Sequence, residues 1–135
     1  MLEDGGVKLK LWIDDVRPAP RGYTWVKSVN EAKRVIEEQE VLVQVRLDSI
    51  RDMESPMRRA LADHLDTEMI GMYINLIDID HDAGDYAHDG GDYIKLLDWL
   101  EATGRNYPIH IHSQNVVGVQ NMRAIIQHNN WVEVR

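Results

Sequence analysis

The sequence predicts an α/β protein: a doubly wound, mostly parallel sheet covered by helices on both faces. Three observations carry this reading. Short apolar runs alternate along the chain with amphipathic segments, which is the pattern of repeated β-α-β units. Three of those runs end in polar side chains, at Asp14 and Asp15, at Asp80 to Asp82, and at His110 to Asn115. The chain, 135 residues long, fits a single domain over residues 1–135, since domains most often hold about 100–150 residues.

Taken in order, residues 1–7 read as a loose leader and Lys8–Ile13 as a strand. Asp14 and Asp15 end it, and Pro18, Pro20 and Gly22 force a loop. Tyr23–Lys27 is a short strand. Ser28, with Glu31 three residues later, makes a capping box for a helix with Val29, Ala32, Val35 and Ile36 on its apolar side. Val41–Leu47 alternates Val43, Val45 and Leu47 with Gln44 and Arg46, which predicts a half-exposed strand. Ser55-Pro56 opens a helix that buries Met57, Leu61 and Leu65. Met69–Asp80 is a long apolar run whose β-branched end suits a strand. A helix follows Gly90-Gly91-Asp92, with Tyr93, Leu96, Leu97 and Leu100 on one side and Gly104 as its stop. Pro108–His112 is a strand, Val119 to Ile126 a helix, and Trp131–Val134 a last strand.

Composition narrows the function. The chain is 44% apolar and 28% charged, enough apolar material for a core and too little charge for a disordered segment. It has no cysteine, which excludes disulfides and cysteine-bound zinc. A net charge of −8 argues against an extended nucleic-acid face, though a nucleotide or RNA end can still be held in a pocket. No apolar run reaches the ~20 residues that span a bilayer, and the start lacks the layout of a signal peptide. The expectation is a soluble cytoplasmic protein with no membrane partner.

The densest chemistry lies in IDIDHDAGDYAHDGGD, residues 77–92. Carboxylates this crowded need solvent, protons, a cation or basic neighbours. Right-handed crossovers bring it to the same sheet edge as Asp14/Asp15 and His110–Asn115, where open α/β sheets bind ligands. Asp80 and Asp82 share one side of an extended segment, and His81 beside them pairs with an aspartate as an oriented general base. His110 and His112, two apart, face the same way; they suit a transition metal or acid–base work on a phosphodiester. Ser113 and Asn115 are candidate donors to phosphate oxygens beside a helix N-terminus, and Arg17 supplies positive charge. Asp85, His88 and Asp89 suit a solvated loop, His64 and His128 are structural, and Trp12, Trp25, Trp99 and Trp131 are expected in the core.

LWIDDVRP at 11–18, IDIDHDAGD at 77–85 with GGDYIKLLDWL at 90–100, and IHIHSQNVVGVQNM at 109–122 carry a resemblance. Together they resemble the cyclic-phosphate-processing receiver-like domains, small relatives of two-component receivers. The resemblance implies a receiver/flavodoxin-like fold and action on phosphate ends. It also implies Mg²⁺ or another divalent metal on Asp14, Asp15 and Asp80, with Asp82 beside them. Receivers hold the phosphoryl group with a lysine after the fifth strand, where this chain has Val134-Arg135, so phosphorelay signalling is not expected. Val116 stands where the family has proline. Residues 41–75 are extra, an inserted strand–helix unit, natural or engineered, holding Met53, Met57, Met69 and Met72 and suited to homodimer pairing.

The expected function is thus a phosphoesterase, a hydrolase of cyclic or terminal phosphates on nucleotides or RNA. His110, His112, Asp80 and His81 would be its catalytic groups, and Arg17, Ser113 and Asn115 its substrate contacts. The alternatives are a non-catalytic nucleotide- or metal-binding module and a scaffold carrying the inserted segment.

Overall fold

A computed structural model describes residues 9–51 and 74–135 of the chain. The described elements are β1 (Leu9–Ile13), β2 (Thr24–Val26), α1 (Val29–Arg51), β3 (Ile74–Ile79), a 3-10 turn (Gly84–His88), α2 (Ile94–Ala102), β4 (Ile109–Ile111) and α3 (Val116–His128). The strands pair in parallel in the order β2-β1-β3-β4. Glu133 makes a further parallel bridge to Ile109, so the expected last strand exists as one short contact on the β4 edge. This is a receiver/flavodoxin-like order, with the direction of winding reversing between β1 and β3.

Alternation along the strands sorts the side chains. Leu11, Ile13, Val26, Ile77, Ile79 and Ile109 are buried in one cluster with Val29, Ala32 and Ile36 of α1, Leu96, Leu97 and Leu100 of α2, and Met122 and Ile126 of α3. All three described helices therefore serve one face of the sheet. The reason is topological. Each right-handed crossover from β2 to β3, β3 to β4 and β4 onward advances in the same direction, so each lands on the same side. The β1–β2 connection has no helix, and the expected covering of the second face is not found among the described residues. That face carries Lys10, Trp12 and Asp78, with His110 in register beside Asp78.

The strand expected over Val41–Leu47 is helical. In a strand Val43, Val45 and Leu47 would share one face; instead Val43 and Leu47 are 4% and 2% exposed while Val45 is 60% and Val41 62%. The buried positions Val29, Ala32, Ile36, Gln39, Val43 and Leu47 recur every three or four residues, the period of one continuous helix. Apolar residues on both sides of that helix imitate alternation. Residues 41–51, the start of the segment expected as an insert, thus continue α1, and the helix expected after Ser55-Pro56, with His64, its methionines and the leader, lies outside the described residues.

The capping box closes as expected, with a difference of partner. Ser28 Oγ accepts from Glu31 N at 3.0 Å, and Glu31 Oε1 accepts from Lys27 N at 2.8 Å. Ser28 Oγ also donates to Asp89 Oδ2 at 2.6 Å, which ties α1 to the loop after β3. Farther along, Glu40 clamps Arg105 through two 2.8 Å bonds and accepts from the Tyr107 hydroxyl. Trp131 is buried, and Trp99 packs partly buried against the core. Trp12 and Trp25 do not join it; they stand half-buried on the polar face, where their indole N–H groups serve the sheet edge. No helix among the described residues is long and apolar enough to cross a membrane.

Candidate functional site

The polar face builds its site by strand register. Trp12, Asp78 and His110 stand abreast on β1, β3 and β4. Two residues on, the same side of the pleat presents Asp14, Asp80 and His112 just past the strand ends. The backbone stays in step there: Asp80 N donates to Ile13 O and His112 N to Ile79 O, each at 2.9 Å. Acids from early and middle strands thus meet imidazoles from a later one at the switch edge.

His112 is the hub. Its Nε2 lies 2.9 Å from Asp14 Oδ2 and its Nδ1 2.6 Å from Asp78 Oδ1. Ionised carboxylates only accept hydrogen bonds, so this geometry favours the form in which both ring nitrogens donate, the imidazolium. The Trp12 indole stacks on it, with centroids 3.8 Å apart and planes 3° from parallel, a contact that favours the cation. His110 Nδ1 donates to the same Asp78 oxygen at 2.8 Å, which leaves its Nε2 free to accept a proton. The two histidines differ in access: the His112 side chain is 8% exposed and that of His110 35%.

Burial opposes charge throughout the cluster, and partners overturn it. At Asp14 burial is outweighed by the backbone N–H groups of Arg17 and Val16 and by His112, so its pKa lies below the usual carboxylate value. Asp14 Oδ1 accepts from those N–H groups at 2.8 and 3.0 Å, which also folds the turn after β1. At Asp78 burial is likewise outweighed, by His112 and His110, and its pKa is lowered. His112 is raised, because Asp78 and Asp14 together overcome the burial of its ring. Asp15 goes the other way: burial, then the charges of Asp14 and Asp80, raise its pKa.

A second, smaller constellation sits where α3 begins. His81 Nδ1 donates to Asp82 Oδ1 at 2.9 Å, and Asn115 Nδ2 donates to Asp82 Oδ2 at 3.3 Å. The His81 bond, with help from Asn115, outweighs the slight burial and keeps the Asp82 pKa low. Asn115 Oδ1 accepts from Gly118 N at 2.9 Å, so Asn115 is the N-cap of α3, which starts at Val116 and not at Val119. The His81 ring lies flush against Gly118; a Cβ there would overlap it.

The expected site residues therefore separate. Asp14, Asp80 and His112 come together, and so do His110 and His112. Asp82 turns away from the candidate metal ligands toward His81 and Asn115. Asp15 lies against Gly84, whose positive φ admits no side chain there without strain. Arg17 Nη1 reaches His112 O at 3.4 Å, and Trp12 Nε1 donates to Arg17 O at 2.8 Å. Ser113 Oγ accepts from Asn115 N at 3.1 Å. His128 ends α3 and is exposed. Asp78 is the residue that sequence reasoning missed. The signal was present: Asp78 and Asp80 repeat with the same period of two as His110 and His112, so one face carries both pairs.

Among the described residues, two sets of side chains have ligand atoms within 4.8 Å of one another, Asp14 with Asp80 and His112, and Asp78 with His110 and His112. Both mix imidazole with carboxylate, a donor set suited to a transition metal more than to Mg²⁺. A metal on either set takes the place of a His112 proton.

The family model of the cyclic-phosphate processing receiver domain matches residues 9–55 and 43–128. The comparisons with curated proteins and with solved structures give no match.

Proposed function

The chain belongs to the cyclic-phosphate processing receiver domain family, and on that premise we propose that it opens cyclic phosphates on nucleotides or RNA ends. The observation that carries this reading is the Asp78–His110 pair, an accessible imidazole with its Nδ1–H anchored on a buried carboxylate. In such a pair the carboxylate fixes the tautomer and the outer nitrogen works as the base. Water adds to phosphorus and its proton passes to His110 Nε2. The strained P–O bond breaks, and the freed ribose oxygen takes that proton back from the imidazolium. His112, enclosed by Asp14, Asp78 and Trp12, serves as a fixed positive charge that keeps two buried carboxylates compatible. Arg17, whose Nη1 reaches His112 O, and Ser113 are the groups this reading assigns to the phosphate.

Where a metal joins, Asp14, Asp80 and His112 would hold it. It supplies positive charge at a phosphate oxygen when bound.

Turnover of 2′,3′-cyclic nucleotides by wild type and His110→Ala tests the reading. A positioned general base contributes roughly 10²–10⁴-fold, and a loss in that range is expected. Equal rates remove His110 from the chemistry. Stoichiometric binding without product, measured by calorimetry, favours a sensing module instead.

A further inference from the structure

Acids dominate this sheet edge, so the cations beside them decide how an anionic substrate is received. Arg17 lies on the β4 side. On the β2 side stands Lys27, the first residue past β2, whose preceding carbonyl, Val26 O, accepts from Asp14 N at 3.3 Å. Its ammonium lies 4.5 Å from the centroid of the Trp25 ring and 5.9 Å from that of Tyr86. Both rings belong to the edge. Trp25 Nε1 donates to Asp14 O at 2.8 Å, and Tyr86 lies in the 3-10 turn whose Gly84 abuts the Asp15 carboxylate.

The Lys27 backbone is fixed twice, through its N–H to Glu31 Oε1 at 2.8 Å and through its carbonyl, which accepts from the Tyr93 hydroxyl at 2.7 Å. Burial keeps that hydroxyl protonated, and the neighbouring charges of Asp15, Asp14 and Asp80 add to the effect, which puts the Lys27 backbone beside the acids. Yet among the described residues the Lys27 ammonium forms no ion pair with a carboxylate. It rests on ring faces, which restrain a cation without using its three donors. A phosphate oxygen offers a stronger, charge-assisted bond than a ring face.

Resting on the function proposed above, we infer that Lys27 is the residue that binds the substrate's phosphate, held ready by Trp25 and Tyr86. Through it the cleft selects anionic phosphate esters although the chain as a whole is acidic.

The test uses the full chain as wild type, Lys27→Gln, Lys27→Arg and His110→Ala. Adenosine 3′-monophosphate is titrated by calorimetry, and 2′,3′-cyclic AMP turnover is followed. Both backbone contacts of Lys27 survive substitution, and a melting curve confirms folding. Losing one charged contact weakens binding about tenfold. Lys27→Gln should therefore raise Kd and KM by about that factor with kcat little changed, and Lys27→Arg should restore most of it. His110→Ala should bind normally and turn over poorly. If Lys27→Gln binds the monophosphate as wild type does while His110→Ala loses turnover, the Lys27 assignment falls and the proposed function stands. If wild type neither binds nor turns over these compounds, the proposed function falls and takes the Lys27 assignment with it.

Discussion

The two faces of the sheet use the same strands for opposite ends. On one, Leu11, Ile13, Ile77, Ile79 and Ile109 sit under three helices and are fully buried. On the other, Trp12, Asp14, Asp78, Asp80, His110 and His112 occupy the alternate positions and make a charged network. Burial is nearly as deep on the second face at Asp14 and Asp78, which are 0% and 5% exposed. The difference is how that burial is made tolerable, by apolar contact on one face and by paired charge on the other. Breaking a contact on the charged face leaves an orphaned ion, whereas on the apolar face it leaves a cavity.

Asp78→Ala should therefore have the largest effect. It strips the shared acceptor from His110 and His112, and breaking a buried pair costs about 3–5 kcal/mol, to be read from denaturant unfolding. A cost under about 1 kcal/mol would mean that the network adds little to stability. On the apolar side, Leu47→Ala should cost ~2–4 kcal/mol and Val45→Ala under ~0.5 kcal/mol. Equal costs would restore the strand reading of that segment.

The network should also show its charges as a pH dependence that the apolar face lacks. His112 is raised, so its contribution is complete below the ordinary imidazole value of ~6.5 and fades as pH climbs through its folded value. Asp14 and Asp78 are lowered, so theirs is complete above the ordinary carboxylate range and fades as pH falls through their folded values. The stability gap between wild type and His112→Gln should be widest in mildly acidic to neutral solution and narrow on both sides. A gap independent of pH would contradict the ionic description.

Gly118→Ala sharpens the comparison at smaller scale. In an open helix interior alanine gains up to ~1 kcal/mol over glycine. Here its methyl overlaps the His81 ring, so the gain should vanish and the His81–Asp82 bond should be displaced in NMR spectra. A stabilised variant with unchanged His81 signals would show that the ring is not held there.

Much of this was legible in the chain because alternation is a local signal. The β1, β3 and β4 runs, the Ser28/Glu31 cap and the meeting of Asp14, Asp80 and His112 all follow from period and topology. Val41–Leu47 misled because a helix apolar on two sides looks alternating over seven residues, and only the burial of Val43 and Leu47 decides it. Asp78 was hidden inside an apolar run, where a lone acid reads as strand punctuation until its partner across β4 is known. The roles of Asn115 and Asp82 depended on the start of α3, and helix starts are poorly fixed by pattern alone.

The most direct measurement is ¹⁵N NMR of the imidazole side chains at neutral pH. The expected spectrum has both ring nitrogens of His112 protonated, and a proton on His110 Nδ1 where it meets Asp78. A neutral His112, or a His110 protonated on Nε2 alone, would contradict the bridge between Asp14 and Asp78 and with it the base assigned to His110.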